Sequence, residues 1–111
     1  ALKNGELVEA VEFQIPEKAD YQKHPNPASR YAIIGVFVAK HKKDANVAVT
    51  GAKSCVYIDK DLSKKLSSSF SVSAIEGMDV KSSGMNSDMH ASAEYRANLV
   101  SLYAKKAVEA C

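Results

Sequence analysis

The run "RYAIIGVFVAK" (30–40) constrains this chain more than any other stretch. Tyr31, Ile33, Val36, Phe37 and Val38 are β-branched or aromatic residues of a kind that fits a central strand covered on both faces. Gly35 interrupts the run and signals a bulge or the close approach of another element. The charged turn "HKKDAN" (41–46) follows, and then a second strand-like run, "VAVTGA" (47–52). The natural pairing is a hairpin between residues 30–40 and 46–52, with "SCVYI" (54–58) as further strand beyond Gly51.

The pattern changes after Asp59. "DKDLSKKLSSSF" places Leu62 and Leu66 at i, i+4 and predicts a short helix entered at Asp59 or Asp61. "SVSAIEGM" predicts a second short helix ended by Gly77. The serines at 63, 67, 68, 69, 71 and 73 read as capping and loop chemistry, because serine hydroxyls compete for backbone groups. From Ser92 to Glu109 the period is helical. Tyr95, Leu99, Tyr103 and Ala107, with Val100, Ala104 and Val108 beside them, form an apolar stripe. Glu94, Asn98, Ser101, Lys105 and Glu109 form a polar one. Glu94 near the start and Lys105 and Lys106 near the end suit the helix dipole.

Strands first and helices later predict an α+β fold: an antiparallel sheet with helices packed on one face. Two expectations concern the N-terminal part. "LVEAVEFQI" (7–15) alternates, with Val11, Phe13 and Ile15 on one side and Glu12 and Gln14 on the other. It reads as a half-buried strand ended by Pro16. "PEKADYQKHPNPAS" (16–29) contains all three prolines and reads as mostly irregular.

At 111 residues the chain suits a single domain, 1–111. With 46% hydrophobic and 25% charged residues it can bury one modest core. Its abrupt entry into a strand pattern after Ala1 is what a domain excised from a larger protein would show. Two cysteines, Cys55 and Cys111, suggest reduced thiols in a cytoplasmic protein, not a disulfide framework. No leader-like or membrane-spanning apolar run is seen.

The chemistry-bearing motifs are few. His24, His41 and His90 have no metal-ligand spacing to one another or to a cysteine. His41, within "KHKKD", reads as a solvated turn residue. No nucleophile elbow occurs, so no catalytic residue is assigned. Five isolated glycines offer no loop able to cradle a phosphate. A formal charge of +2, with lysines spread over loops, gives no nucleic-acid footprint.

Four stretches in order, "NGELVEAVEFQIP" (4–16), "YQKHPNPASRYAIIGVFVA" (21–39), "VAVTGA" (47–52) and "GMNSDMHASAEYRANLVSLYAKKAV" (84–108), carry a family resemblance. The chain resembles the C-terminal domain of the FAD-binding medium subunit of carbon monoxide dehydrogenase-like (xanthine/aldehyde oxidase-type) molybdenum hydroxylases. Its serine-rich middle, "KKLSSSFSVSAIEGMDVKSS", is shorter than the helical region common in that family. The resemblance implies an accessory domain, not catalytic alone, of an oxidoreductase complex. FAD would be bound mainly by an upstream domain of the same chain. A large subunit would carry molybdopterin and a small one two [2Fe–2S] clusters. The FAD would pass electrons to an external acceptor.

The same resemblance implies roles for particular residues. Tyr21 and Lys23 would lie near the isoalloxazine ring. The tyrosine would cover a ring face, and the lysine would stabilise charge on the reduced flavin. The alternative for both is an ordinary exposed loop. "DMHASAEYR" (88–96) would start the last helix, with Asp88 or Ser92 as its cap and Tyr95 as its first large core residue. Arg96 would serve as partner of a carboxylate or carbonyl near the helix base. A self-standing protein–protein interaction or scaffold domain without flavin contact is the competing reading.

Overall fold

The computed structural model describes residues 2–111. Four strands form an antiparallel meander in the order β1 (Lys18–Pro25), β2 (Ala32–Lys40), β3 (Ala45–Thr50) and β4 (Tyr57–Ile58). Three helices follow: α1 (Lys60–Ser68), α2 (Val72–Ile75) and α3 (Ala93–Ala110). The fold is therefore α+β, as the sequence predicts, and the expected hairpin is β2–β3. α3 lies over β1 and β2, and α1 lies over β3.

Strand parity decides which residues meet the helices. Ile34, Val36 and Val38 of β2 and Ala45, Val47 and Val49 of β3 point to the helical side and are buried. They meet Leu62, Leu66, Ile75, Leu99, Val100, Ala104, Ala107 and Val108 in one cluster. The other sheet face carries no helix. Gly35 and Ala39 of β2 are buried there too, but Phe37 and Ile58 are partly exposed, so the cover that the sequence predicts on both faces of β2 is incomplete on this one. Tyr31, expected within the central strand, precedes it and is exposed.

Two N-terminal expectations are corrected. Residues 7–15 form no strand. The segment is unpaired, and Val11, Phe13 and Ile15 project into solvent, Ile15 at 89% exposure. Conversely, most of 16–29 is not irregular, because β1 occupies Lys18–Pro25. The prolines bracket this strand. Pro16 precedes it, Pro25 is its last residue at a register shift after His24, and Pro27 lies beyond it. β1 is an edge strand, where a missing N–H is tolerated.

The serines of α1 do more than cap. β4 is short, so the outer edge of β3 lacks a strand partner at Ala45 and Val47. Ser67 Oγ accepts from Ala45 N (2.8 Å), and Ser63 Oγ accepts from Val47 N (2.9 Å). The helix thus supplies hydroxyls where a sheet would supply carbonyls, and no buried N–H is orphaned there. Asp59 is the N-cap of α1, its Oδ1 accepting from Leu62 N at 3.0 Å.

At the start of α3, Ser92 is the cap and accepts from Tyr95 N. Asp88 instead folds the preceding turn, accepting from the backbone N–H groups of His90 and Ala91. Tyr95 is not a core residue: it is 45% exposed, while Arg96 beside it is only 4% exposed. The reason is local. Beneath Tyr95 lies the polar end of β1, where His24 meets it edge-on at 6.2 Å. The buried place over the strand ends goes to Arg96, because two backbone carbonyls there need donors. Lys105 and Lys106 lie before the last turn of α3, which carries no basic residue.

Candidate functional site

Tyr21 and Lys23 sit on β1, not on a loop. Being two residues apart, they share the helix-free face of the sheet. Lys23 pairs with Gly35 and Tyr21 with Phe37 across the β1–β2 ladder. The absent side chain of Gly35 makes room for Tyr21, since a Cβ at Gly35 would overlap the Tyr21 hydroxyl. This is the close approach that the glycine signalled.

The two residues line one depression of about 500 Å³, together with Ser29, Arg30, Tyr31, Ala32 and Thr50. Lys23 Nζ donates to the Arg30 carbonyl at 3.2 Å. Arg30 has a left-handed backbone, φ 65°, inside a turn organised by Asn26. The Asn26 side-chain oxygen accepts from Ala28 N and Ser29 N, and Asn26 N donates to Tyr31 O at 2.7 Å. The depression therefore combines two cations, Lys23 and Arg30, with two tyrosine rings, Tyr21 and Tyr31. Such a surface can meet an anionic, flat, aromatic group by charge and by stacking. Arg30 and Thr50 carry no site signal in the sequence, and Tyr31 reads there only as a strand residue. The available signal was the alternation of Tyr21 and Lys23 opposite a glycine within a hairpin.

A second, smaller depression of about 260 Å³ adjoins the first through Ser29, Tyr31 and Ala32. Asn86, Asp88, His90 and Arg96 line its far side, so "DMHASAEYR" is its wall. Arg96 fulfils its expected role with both partner types. Its Nη2 donates to both oxygens of Asp88 at 2.9 Å, and its Nη1 donates to Ile33 O (2.8 Å) and Gly51 O (3.0 Å). The N–H groups of His90 and Ala91, with the Arg96 guanidinium after them, hold the Asp88 carboxyl below the usual carboxylate range.

The remaining chemistry-bearing residues are dispersed. Among the described residues no group of three His, Cys, Asp or Glu side chains could hold a metal ion. Cys55 and Cys111 are both free thiols. Burial, with the Asp59 charge adding to it, pushes the Tyr57 phenol up to about 12. His24 Nδ1 lies 3.1 Å from the Tyr103 hydroxyl on the helical side, away from Tyr21 and Lys23. No described helix is long and apolar enough to cross a membrane.

No family model, curated protein or solved structure matches this chain.

Proposed function

We propose that this chain is the C-terminal domain of the flavoprotein (medium) subunit of a molybdenum hydroxylase of the carbon monoxide dehydrogenase type. Its place is beside the FAD held by an upstream domain. The observation that best supports this reading is the grouping of Tyr21, Lys23, Arg30 and Tyr31 in one depression on the uncovered sheet face. An isoalloxazine edge fits this chemistry. Its reduced form is an anion, for which Lys23 and Arg30 supply positive charge, and its faces can stack on a tyrosine. The flavin supplies the electron transfer; these side chains orient it and favour its reduced charge. Among the described residues no phosphate-cradling glycine loop is present, so the pyrophosphate end belongs to the upstream domain on this reading. The partners would be the molybdopterin-bearing large subunit and the [2Fe–2S]-bearing small subunit, in the cytoplasm.

The test uses the full-length flavoprotein. Removing Lys23 by Lys23→Ala deprives the reduced flavin of a nearby cation, so the two-electron potential should fall. A partly solvated charge contact contributes about 1 kcal/mol, which for two electrons corresponds to a drop on the order of 20 mV. Tyr21→Ala should alter flavin absorbance or retention more than potential. Wild-type potential, spectrum and FAD affinity in both variants would exclude the flavin contact.

A second reading has its own supporting observation. Phe37 and Ile58 on the bare sheet face, and the apolar side chains of residues 7–15, are exposed together. A protein–protein interaction or scaffold domain with no flavin contact would use this surface. Substitutions at Phe37 that weaken a partner complex while Lys23→Ala leaves every flavin property unchanged would favour it.

A further inference from the structure

We infer that Arg96 is a positioning residue for the Tyr21–Lys23 depression, setting from below where the Lys23 ammonium can lie. The inference deepens the flavin reading and rests on it for the identity of the ligand, though not for the geometry.

The β2–β3 ladder ends at the pair Gly35–Thr50. Beyond it β2 continues back to Ala32, but β3 turns away at Gly51, whose φ is +81°. On the other side of β2, the register passes from His24–Ile34 to Pro25–Ala32 and skips Ile33. Ile33 is thus left without a strand partner on either side. Arg96 fills the gap by donating to Ile33 O and Gly51 O through one nitrogen, while the other is held by both oxygens of Asp88. The two backbones run so close that a Cβ at Gly51 would overlap Ile33 O, so the carbonyls can converge on one guanidinium only with glycine there.

The residues next to these carbonyls, Ala32 and Thr50, are wall residues of the depression. The turn between Asn26 and Tyr31 is held at its far end by Asn26 Nδ2 lying 3.4 Å from His90 Nδ1, two residues after Asp88. That turn carries the Arg30 carbonyl to which Lys23 donates. A connected set of contacts therefore runs from Arg96 through the strand ends and the turn to Lys23. A planar fork with fixed donor directions can serve two carbonyls and a carboxylate at once. A lysine, a point charge on a flexible stem, cannot.

The experiment compares Arg96→Lys, Asp88→Asn, Lys23→Ala and the double variant Lys23→Ala/Arg96→Lys in the flavin-loaded full-length protein. Leu66→Ala, on the buried face of α1, is the control for lost stability alone. At matched FAD occupancy, Arg96→Lys should lower the flavin potential in the same direction as Lys23→Ala and by less. The double variant should show no further drop beyond Lys23→Ala, because Arg96 acts through Lys23. Leu66→Ala should lower the denaturation midpoint and leave the potential unmoved. If Arg96→Lys does not fold, Asp88→Asn carries the comparison, since an asparagine still accepts the turn's N–H groups but loses the charge. An additive double variant, or an unmoved potential in both Arg96→Lys and Asp88→Asn, overturns the inference. Should Lys23→Ala itself leave the flavin unchanged, the flavin reading fails, and the backbone amide resonances of the 111-residue chain decide the positioning role. Arg96→Lys must then shift Lys23, Arg30 and Thr50 more than Leu66→Ala does, and equal shifts overturn it.

Discussion

Residues 11–15 and residues 45–49 have the same alternating pattern and opposite fates. Val11, Phe13 and Ile15 alternate with polar residues in a segment that forms no strand, and all three are exposed. Ala45, Val47 and Val49 lie on one side of β3 and are buried. The difference is what each backbone finds beside it. β3 has β2 along one edge, and β4 with the α1 serines along the other. Residues 11–15 pair with no strand; Phe13 and Gln14 only line an open depression with Phe37, Ala48 and Ile58 of the sheet, and Phe13 stays 79% exposed. Alternation states which side of a segment would be buried; it does not supply the surface that buries it. The uncovered sheet face shows the same asymmetry within one strand, with Val36 and Val38 enclosed and Phe37 between them partly exposed.

The largest contrast is predicted for one substitution made in both regions. Ile34 is completely buried and Ile15 is 89% exposed. Ile34→Ala should destabilise by about 2–5 kcal/mol, as buried large-to-small changes do. Ile15→Ala should stay within about 0.5 kcal/mol of wild type. Urea denaturation midpoints measure both, and comparable losses would break the comparison.

The next effect sharpens the account of the β3 edge. Ser63→Ala removes the acceptor for Val47 N and leaves a buried donor unpaired, a loss of about 1–3 kcal/mol. Ser68→Ala, at an exposed hydroxyl bonded only to the preceding helical turn, should cost less than about 0.5 kcal/mol. Equal effects would show that the serines are ordinary helix-surface residues.

Tyr95→Ala should be milder than a core truncation, about 1 kcal/mol, because the ring is half exposed and its main neighbour is His24. A loss of about 3–5 kcal/mol, the range for a buried aromatic, would contradict its placement.

The smallest expected effect is a pH dependence. The folded state lowers the Asp88 pKa, so the unfolded chain binds the proton more readily. Asp88 therefore contributes stability that is fully present above its unfolded value of about 4. That contribution fades as pH falls through the lower folded value. Asp88→Asn should flatten the acid limb of the stability curve below about pH 4. An unchanged acid limb would mean that the carboxylate's bonds to His90, Ala91 and Arg96 contribute nothing to folding.

The parts of the fold governed by local signals were legible in the sequence. The β2–β3 hairpin follows from two apolar runs and a charged turn, and α1 from its capping aspartate and the Leu62–Leu66 spacing. α3 was legible as an element and in most of its buried face, since Leu99, Val100, Ala104, Ala107 and Val108 are buried as expected, but not at its first turn. There Tyr95 is half exposed and Arg96 takes the buried position, because the Ile33 and Gly51 carbonyls converge on its guanidinium. That convergence arises from strand ends more than forty residues away in sequence, at Gly51 and Ile33, and no local pattern encodes it. The three prolines obscure β1, because a proline-rich composition resembles a loop even where, as at residues 17–24, the prolines only bracket a strand-length run. For the candidate site, Tyr21 and Lys23 were marked by resemblance. Their shared face, the opposing Gly35, and the additions Arg30 and Tyr31 depended on a ladder register that only the structure supplies.

The division into an enclosed helical side and an incompletely covered opposite side with its unpaired N-terminal segment is tested most directly by native-state amide hydrogen exchange. The amides of Ile34, Val36, Val38, Val47 and Val49 should exchange only through global unfolding, while those of residues 7–15 should exchange at nearly the rate of an unstructured peptide. Strong protection across residues 7–15, comparable to that of β2 and β3, would mean that this segment is paired within the folded chain and would contradict the account.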